Sequence, residues 1–370
     1  MNVERVIFRR RHNRHYTARC NSPMNFQRIL IRATNWVGDA VMCVPAMEAI
    51  RARFPRSHIA VLARPWVAGL YGPELVDEVI PYEAARGWKD LRAKWRIASQ
   101  LRARKFDCVI LLQNAFEAAV IVWAAGIPCR IGYNRDGRGL FLSKPIAVPR
   151  KTEIHRHERF YYLELLRRAG IIDAIPPVNF IRLRSADRHF QVGFRRLTQL
   201  GFQGDVVGIS PGAAYGGAKR WLPEHFAEAS AELARKLSAG VAVFGSTDER
   251  ELCAGVAARL EEQGIEVRNL AGETSLAEFI DLAAACCVFL TNDSGAMHIS
   301  SALGVPTVAI FGATDDVGTG PTGPLARVVR ENVDCSPCLL RECPIDHRCM
   351  TRVSAARVSS VALELIKLKT

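Results

Sequence analysis

Short runs of β-branched residues alternate with helical stretches along most of this chain, and the alternation constrains the fold more than any other feature. Strands separated by crossover helices pair in parallel, with helices covering both faces of the sheet. The rhythm therefore predicts an α/β protein with a doubly wound parallel sheet. In the first half we predict strands at 28–32, 58–62, 76–81 and 107–112, and helices at 40–53, 88–104, 115–125 and 155–170.

The same alternation begins a second time after residues 171–186, a stretch containing Pro176-Pro177 that is typical of a linker. At 370 residues the chain exceeds the roughly 250–300 residues that one core usually supports. We therefore predict two tandem domains, 25–180 and 187–370, with the binding cleft between them. The later predicted strands are 206–210, 241–244, 267–270, 288–291 and 305–311, and the helices are 187–200, 223–238, 248–263, 275–286 and 295–303.

The charge of the chain is strongly positive, with a formal net charge of +13. The first 24 residues hold six arginines and one glutamate, and we expect them to form a basic, disordered extension or to precede a true start at Met24. The chain has no run of about 20 apolar residues that could span a bilayer and no apolar signal region before Met24. A cytoplasmic location is expected. The surplus charge suits an anionic partner such as a nucleic acid, an anionic lipid surface or a nucleotide.

The loop after the first strand places a carboxylate, Asp39, at or just before a helix N-terminus. Ligands of doubly wound sheets bind beyond the carboxyl ends of the strands, so this loop is a candidate site. Asp39 could cap the helix or act on a ligand. Neither a Gly-x-Gly-x-x-Gly nor a Gly-x-x-x-x-Gly-Lys-Ser/Thr motif is present, which argues against dinucleotide-dehydrogenase and P-loop functions.

Two further loops carry candidate binding residues. Ser210-Pro-Gly-Ala-Ala-Tyr-Gly-Gly-Ala-Lys219 joins glycines, whose backbone N–H groups can hold phosphate oxygens, to a cation. An ordinary exposed loop is the alternative. Thr291-Asn-Asp293-Ser294-Gly295-Ala-Met-His298 places a carboxylate, a hydroxyl and a helix N-terminus at another strand end. Here Asp293 could be a simple helix cap and His298 a core histidine.

Together and in this order, these blocks resemble glycosyltransferase family 9, the heptosyltransferases of lipopolysaccharide assembly. The resemblance rests on Ile29 to Met42, on Ser210-Pro-Gly-Ala with Lys219-Arg-Trp, and on Asn292 to Gly312. It covers the chain from about Asn25 to the C-terminus, with Gly-Ala-Met-His where the family usually has Gly-Leu-Met-His. It implies a GT-B fold of two Rossmann-like domains, with the acceptor on the first and ADP-heptose on the second.

The resemblance also implies a reaction: inverting transfer of L-glycero-D-manno-heptose from ADP-heptose to the lipopolysaccharide inner core, as the second heptose. It places the enzyme peripherally at the cytoplasmic face of the inner membrane, acting on a phosphorylated Kdo-lipid A core. In this view Asp39 is the general base and Lys219 neutralises the diphosphate. The residues implied to hold ADP-heptose are Gly212, Glu249, Asp293, Ser294, Gly295 and His298.

No cofactor is expected, and metal-independent transfer is predicted because no two aspartates lie two apart, as an Asp-x-Asp metal motif would require. Basic side chains of the first domain would meet the acidic acceptor. The loose candidates for this contact are Arg64, Arg130, Arg135 and Arg138.

A cysteine-rich segment, Cys335–Cys349, concentrates four thiols and a histidine in fifteen residues. Its Cys-x2-Cys spacing suits zinc, and reduced or partly disulfide-bonded thiols are an equal alternative. We expect this segment to lie outside the active site. The members of the set are Cys335, Cys338, Cys343, His347 and Cys349.

Three other functions are weighed. A family 9 enzyme with a different acceptor or sugar, such as a heptosyltransferase I or III type, shares the same motifs. A nucleotide-sugar epimerase can share the fold. A nucleic-acid-binding module would explain the basic N-terminus and the cysteines, but the chain lacks a recognition motif, so no nucleic-acid partner is expected.

Overall fold

The computed structural model describes residues 24–85 and 89–369. The basic extension predicted at residues 1–24 therefore lies outside the described residues, apart from Met24. The chain divides into two compact units: the first ends at Pro177 and the second begins at Val178. Among the described residues, no helix has the length and apolar character needed to cross a bilayer.

The first unit is built on a parallel six-stranded sheet with β1 at its centre. Leu30 of β1 pairs with Ala60 on one side and with Val109 on the other. The strand order is β3-β2-β1-β4-β5-β6. The strands are β1 (Arg28–Arg32), β2 (His58–Ala63), β3 (Glu78–Pro81), β4 (Cys108–Leu111), β5 (Cys129–Tyr133) and β6 (Lys144–Ile146), and the helices are α1 (Val37–Met42), α2 (Val44–Arg53), α3 (Pro65–Ala68), α4 (Leu91–Ala103), α5 (Phe116–Ala124) and α6 (Arg159–Arg168).

The second unit contains another parallel six-stranded sheet, of order β12-β11-β10-β7-β8-β9. Its strands are β7 (Val206–Ser210), β8 (Gly240–Val243), β9 (Val267–Asn269), β10 (Val288–Asn292), β11 (Thr307–Phe311) and β12 (Ala326–Arg330). Its helices are α7 (Ala186–Gln199), α8 (Pro223–Leu237), α9 (Arg250–Glu262), α10 (Leu276–Ala284), α11 (Gly295–Ala302), α12 (Asp316–Thr319), α13 (Arg348–Thr351) and α14 (Ala355–Lys369).

Both sheets have the same winding. Counted from its own first strand, each has the order 3-2-1-4-5-6 of Rossmann folds. The order reverses between β1 and β4 in the first sheet and between β7 and β10 in the second, and ligands of such sheets bind at that switch point. This confirms the predicted α/β, doubly wound architecture.

The burial of the central strands explains why the alternation of strands and helices is so clear in the sequence. Every residue of β4, β7 and β10 is buried, because helices cover both sheet faces. Strands buried on both faces are continuous apolar runs, which are easily recognised. The edge strands β6 and β12 were both absent from the prediction: β6 contains a proline, which an edge strand tolerates, and β12 is rich in arginine. The prediction also missed the fully buried β5 and the helices α3, α12, α13 and α14.

Candidate active site

Asp39 lies beyond the carboxyl end of β1, at the switch point of the first sheet. It occupies the first turn of α1, whose N-cap residue is Trp36. Asp39 is therefore not the N-cap residue of this helix. Its half-buried carboxylate lies where a ligand of a Rossmann-type sheet would lie.

A second carboxylate, Glu158, lies close to Asp39. Burial raises the pKa of Glu158, the negative charge of Asp39 raises it further, and Arg135 opposes the shift. Burial also raises the pKa values of Cys43 and Tyr162, and the charge of Asp39 contributes to both shifts. Sequence reasoning missed Glu158 because it belongs to no motif, and only folding brings it near the β1 loop.

Asp39 also lines a large cleft of the first unit, about 1970 Å³ in volume. Two cations line the same cleft beside Glu117: Arg64 Nη2 is 3.9 Å and Lys94 Nζ 3.5 Å from its carboxylate. The cleft can therefore offer a base, positive charge and flat apolar surfaces to one ligand. Its aromatic lining residues are Trp36, Trp66, Trp95, Phe116, Trp123 and Tyr162.

The structure buries three of the four arginines suggested for acceptor contact. Arg64, Arg130 and Arg138 are buried, and each donates to backbone carbonyls, such as Ala84 O at 2.7 Å from Arg64 Nη1. A buried guanidinium needs such partners, because unpaired charge in the interior is costly. Only Arg135 is exposed, and it pairs with Asp136 at 3.1 Å. Arg64 and Arg130 still line the cleft.

In the second unit, Lys219 and Asp293 meet at the switch point between β7 and β10. Lys219 Nζ donates to Asp293 Oδ2 at 2.5 Å, and the Thr314 hydroxyl donates to the same oxygen at 2.6 Å. The side chains are 14% and 6% exposed. Asp293 is therefore not a helix cap, and two loops predicted separately form one charged centre.

The Asn292 side chain connects the same two loops through hydrogen bonds. Its amide donates to the carbonyl of Pro211 at 2.7 Å, and its Oδ1 accepts from the Trp221 N–H at 2.9 Å. These bonds hold both ends of the glycine loop, which we define as residues 211–220, against β10. Sequence reasoning quoted Asn292 in a motif but assigned it no role. Its position as the last residue of a buried strand was the available signal, since a buried amide there needs partners.

Gly212 lies against Glu249. A Cβ at Gly212 would come within 2.1 Å of the Glu249 carboxylate, so a larger residue there would require this side chain to shift. Glu249 also completes a capping box: its Oε2 accepts from the backbone N–H of Ser246 at 2.8 Å and from the Ser246 hydroxyl at 2.9 Å. Glu249, predicted as a binding residue, therefore lies at the start of the glycine loop. It also caps the turn that begins at Ser246.

The remaining predicted residues follow Asp293 into α11. Ser294 is the N-cap of this helix, and its hydroxyl lies 3.0 Å from that of Thr291. Gly295 is the first helical residue, and His298, buried at 5% exposure, follows within the first turn. Gly212, Lys219, Glu249, Asp293, Ser294, Gly295 and His298 therefore belong to the loops and helix ends of one sheet edge.

The cysteine-rich segment packs on the glycine loop rather than away from the candidate site. The chain leaves β12, which is parallel to its neighbours, at the same sheet edge as the glycine loop, and Ala218 N–H donates to Arg341 O at 2.9 Å. The segment is therefore a structural neighbour of the glycine loop, and its separation from the catalytic chemistry stays a prediction. Its four cysteines are unbridged thiols, and no three His, Cys, Asp or Glu side chains of the described part are placed to share a metal ion.

Comparison with known proteins identifies the family. The model of glycosyltransferase family 9 (heptosyltransferase) matches residues 94–348, which is more than half of the chain. The chain belongs to glycosyltransferase family 9. Lipopolysaccharide heptosyltransferase 2 of Escherichia coli K12 is 32% identical over 310 residues, covering 82% of this chain and 88% of that protein. Lipooligosaccharide heptosyltransferase 2 of Campylobacter jejuni (strain 81116) is 29% identical over 346 residues, covering 93% and 99%.

A solved family 9 structure supports the fold. The structure of E. coli ADP-heptose lipopolysaccharide heptosyltransferase II matches with a TM-score of 0.76 and 30% identity, covering 92% of this chain and 99% of that one. With two Rossmann-type units, the present chain has the GT-B fold expected from its motifs. The roles of the individual site residues in this family 9 member remain predictions.

Proposed function

We propose that this glycosyltransferase moves L-glycero-D-manno-heptose from ADP-heptose to the inner core of lipopolysaccharide, as the second heptose. The observation that carries the proposal is the Lys219–Asp293 centre at the switch point of the second unit, beside a glycine loop suited to phosphate. It occurs in a chain that is 32% identical to a heptosyltransferase 2. The matched relatives favour this reaction over an epimerase or a nucleic-acid-binding module.

In this proposal Asp39 is the general base. The acceptor hydroxyl attacks the anomeric carbon of the heptose and gives its proton to the Asp39 carboxylate, while the bond from that carbon to the phosphate oxygen breaks and ADP leaves. A single displacement of this kind inverts the anomeric centre and needs no covalent enzyme intermediate. The position of Asp39 in a ligand-sized cleft supports the assignment.

The second unit would stabilise the departing ADP. Negative charge grows on the diphosphate as the bond breaks, and preorganised N–H groups and cations lower the energy of that state. The glycine loop, Lys219 and the N-terminus of α11 at Gly295 can supply these groups. Gly212, Glu249 and, in the first turn of α11, His298 would also contact the nucleotide-sugar.

The test is product formation from defined acceptors. The purified chain is incubated with ADP-heptose and with Kdo-lipid A carrying no heptose, one heptose or two. We expect transfer only to the acceptor with one heptose, with and without EDTA. Transfer to heptose-free acceptor would indicate a heptosyltransferase I type, transfer to the two-heptose acceptor a type III enzyme, and no transfer to any would overturn the proposal.

We also propose that the enzyme is cytoplasmic and contacts the surface of the inner membrane. We define the aromatic face as the solvent side of α4 with the adjoining end of α5. It carries Leu91, Trp95 and Trp123, which also line the cleft and are exposed by 48%, 64% and 52%. Exposed tryptophans beside arginines are typical of surfaces that rest on anionic lipid. The exposed arginines of α4 are Arg92, Arg96 and Arg102.

Vesicle sedimentation tests this contact. The protein should pellet with phosphatidylcholine vesicles containing phosphatidylglycerol but not with phosphatidylcholine alone. Trp95→Ser and Arg96→Gln should each weaken the binding, whereas Phe194→Ser, which removes a 54% exposed aromatic from the second unit, should not. Equal binding of all variants would show that the aromatic face is not the contact.

A further inference from the structure

The cysteine-rich segment contacts the glycine loop through several hydrogen bonds. Besides the bond from Ala218 to Arg341, the Gly217 N–H donates to Glu342 Oε1 at 2.9 Å and the Tyr215 hydroxyl donates to Leu339 O at 2.9 Å. His347 Nε2 donates to Ala218 O at 3.1 Å. The conformation of the loop therefore depends on a segment more than 120 residues away.

The close approach of the two backbones also demands a glycine. Gly216 has a φ of +155°, and a Cβ there would lie 2.3 Å from the carbonyl oxygen of Arg341. Any side chain at this position would push the cysteine-rich segment off the loop. The contact therefore depends on Gly216 of the loop as well as on the cysteine-rich segment.

This packing brings a further cation, Arg341, to a loop that already contains Lys219 and Arg220. The Arg341 guanidinium lies 5.2 Å from the centre of the Tyr215 ring, and Lys219 Nζ lies 4.8 Å from the same ring centre. Arg341 is exposed, and no carboxylate of the described residues pairs with it. Lys219, in contrast, is already paired with Asp293, so this pair carries no net charge to offset an incoming anion.

The diphosphate of a nucleotide sugar carries about two negative charges, and because the Lys219–Asp293 pair is neutral as a whole, cations outside this pair must offset them. We propose that Arg341 binds the diphosphate of the donor and that Glu342 is a positioning residue, which holds the Gly217 N–H and hence the glycine loop in its binding conformation. The proposal rests on the donor site assigned under the proposed function. A guanidinium suits this task because its planar fork can donate two parallel hydrogen bonds to phosphate oxygens.

Calorimetric titration of the full chain with ADP and with adenosine tests the role of Arg341. Arg341→Gln should weaken ADP binding by about tenfold or more, the usual effect of losing one charge-assisted hydrogen bond, and leave adenosine binding unchanged. The matched control is Arg352→Gln, which removes another exposed arginine and should change neither. Unchanged ADP binding, or equal weakening of both ligands, would overturn the role of Arg341.

The role of Glu342 has its own readout. Glu342→Ala should weaken ADP binding severalfold, and Glu342→Gln should restore it, because the glutamine oxygen can still accept from Gly217. If alanine and glutamine behave alike, Glu342 does not position the loop. Failure of the unaltered protein to bind ADP would overturn the donor site itself, whereas normal ADP binding with insensitive variants would overturn only the present inference.

Discussion

Lys219 donates to Asp293 at 2.5 Å, and this ion pair is nearly enclosed by the loops after β7 and β10. The enclosure gives the pair two separable roles. It ties two loops together, and it places a cation where a diphosphate would bind. Removing one partner of a buried pair leaves the other charge uncompensated, whereas replacing both partners can be nearly neutral for stability.

The first prediction separates these two roles. Lys219→Met should lower the free energy of unfolding by about 3 kcal/mol, because Asp293 is then buried without its cation. The double variant Lys219→Met with Asp293→Asn should recover most of this stability in thermal denaturation. Its kcat/KM for ADP-heptose should stay low, because the cation is still missing. Recovery of both stability and activity would show that the pair is only structural.

The second prediction concerns the base. Asp39→Asn keeps the shape of the side chain but cannot take a proton, so kcat should fall by roughly 100- to 10,000-fold. ADP affinity and the melting temperature should change little, since Asp39 lies outside the donor site and is only partly buried. Asp187→Asn, an exposed acid in the first turn of α7, is the matched control and should leave kcat unchanged. Near-normal turnover of Asp39→Asn would remove Asp39 from the mechanism.

The third prediction concerns the contact of Gly212 with Glu249. Gly212→Ala places a methyl group 2.1 Å from the carboxylate, so Glu249 must leave its bonds to Ser246, which should cost about 1 kcal/mol of stability and raise the KM for ADP-heptose. Gly204→Ala, whose nearest neighbour is an oxygen 3.9 Å away, should have little effect. Adding Glu249→Ala to Gly212→Ala should recover part of the lost stability. If it recovers none, the clash lies elsewhere.

The fourth prediction is a pH dependence of stability. Burial and the charge of Asp39 raise the pKa of Glu158 in the folded protein, so the folded state holds this proton more tightly than the unfolded chain does. Ionisation of Glu158 therefore costs stability once the pH rises above the unfolded pKa. Glu158→Gln removes this cost and should raise the melting temperature near pH 7.

The control for this prediction is the same measurement in acid. At about pH 4, below the ordinary pKa of a glutamate, both states are mostly protonated, so the gain from Glu158→Gln should shrink towards zero. An equal gain at both pH values would mean that it does not arise from ionisation.

Much of the fold could be predicted from local patterns. The centres of the strands at 28–32 and 206–210 are apolar because helices cover both sheet faces, and the predicted bounds of both strands match the structure. Strand ends can be located in the same way, which is why Asp39, Lys219 and Asp293 were recognised as candidates before any contact was known. Peripheral strands such as β6 were missed because an edge strand needs no apolar run.

Tertiary structure alone decided which of these residues meet. Lys219 and Asp293 are 74 residues apart, and they touch because β7 and β10 are neighbours in a sheet whose strand order differs from their order in the chain. The contact of Tyr215 with Leu339, 124 residues away, depends on β12 ending at the same edge. Periodicity and apolar runs report the burial of a residue and its local conformation, whereas a contact between distant loops depends on how the strands pair.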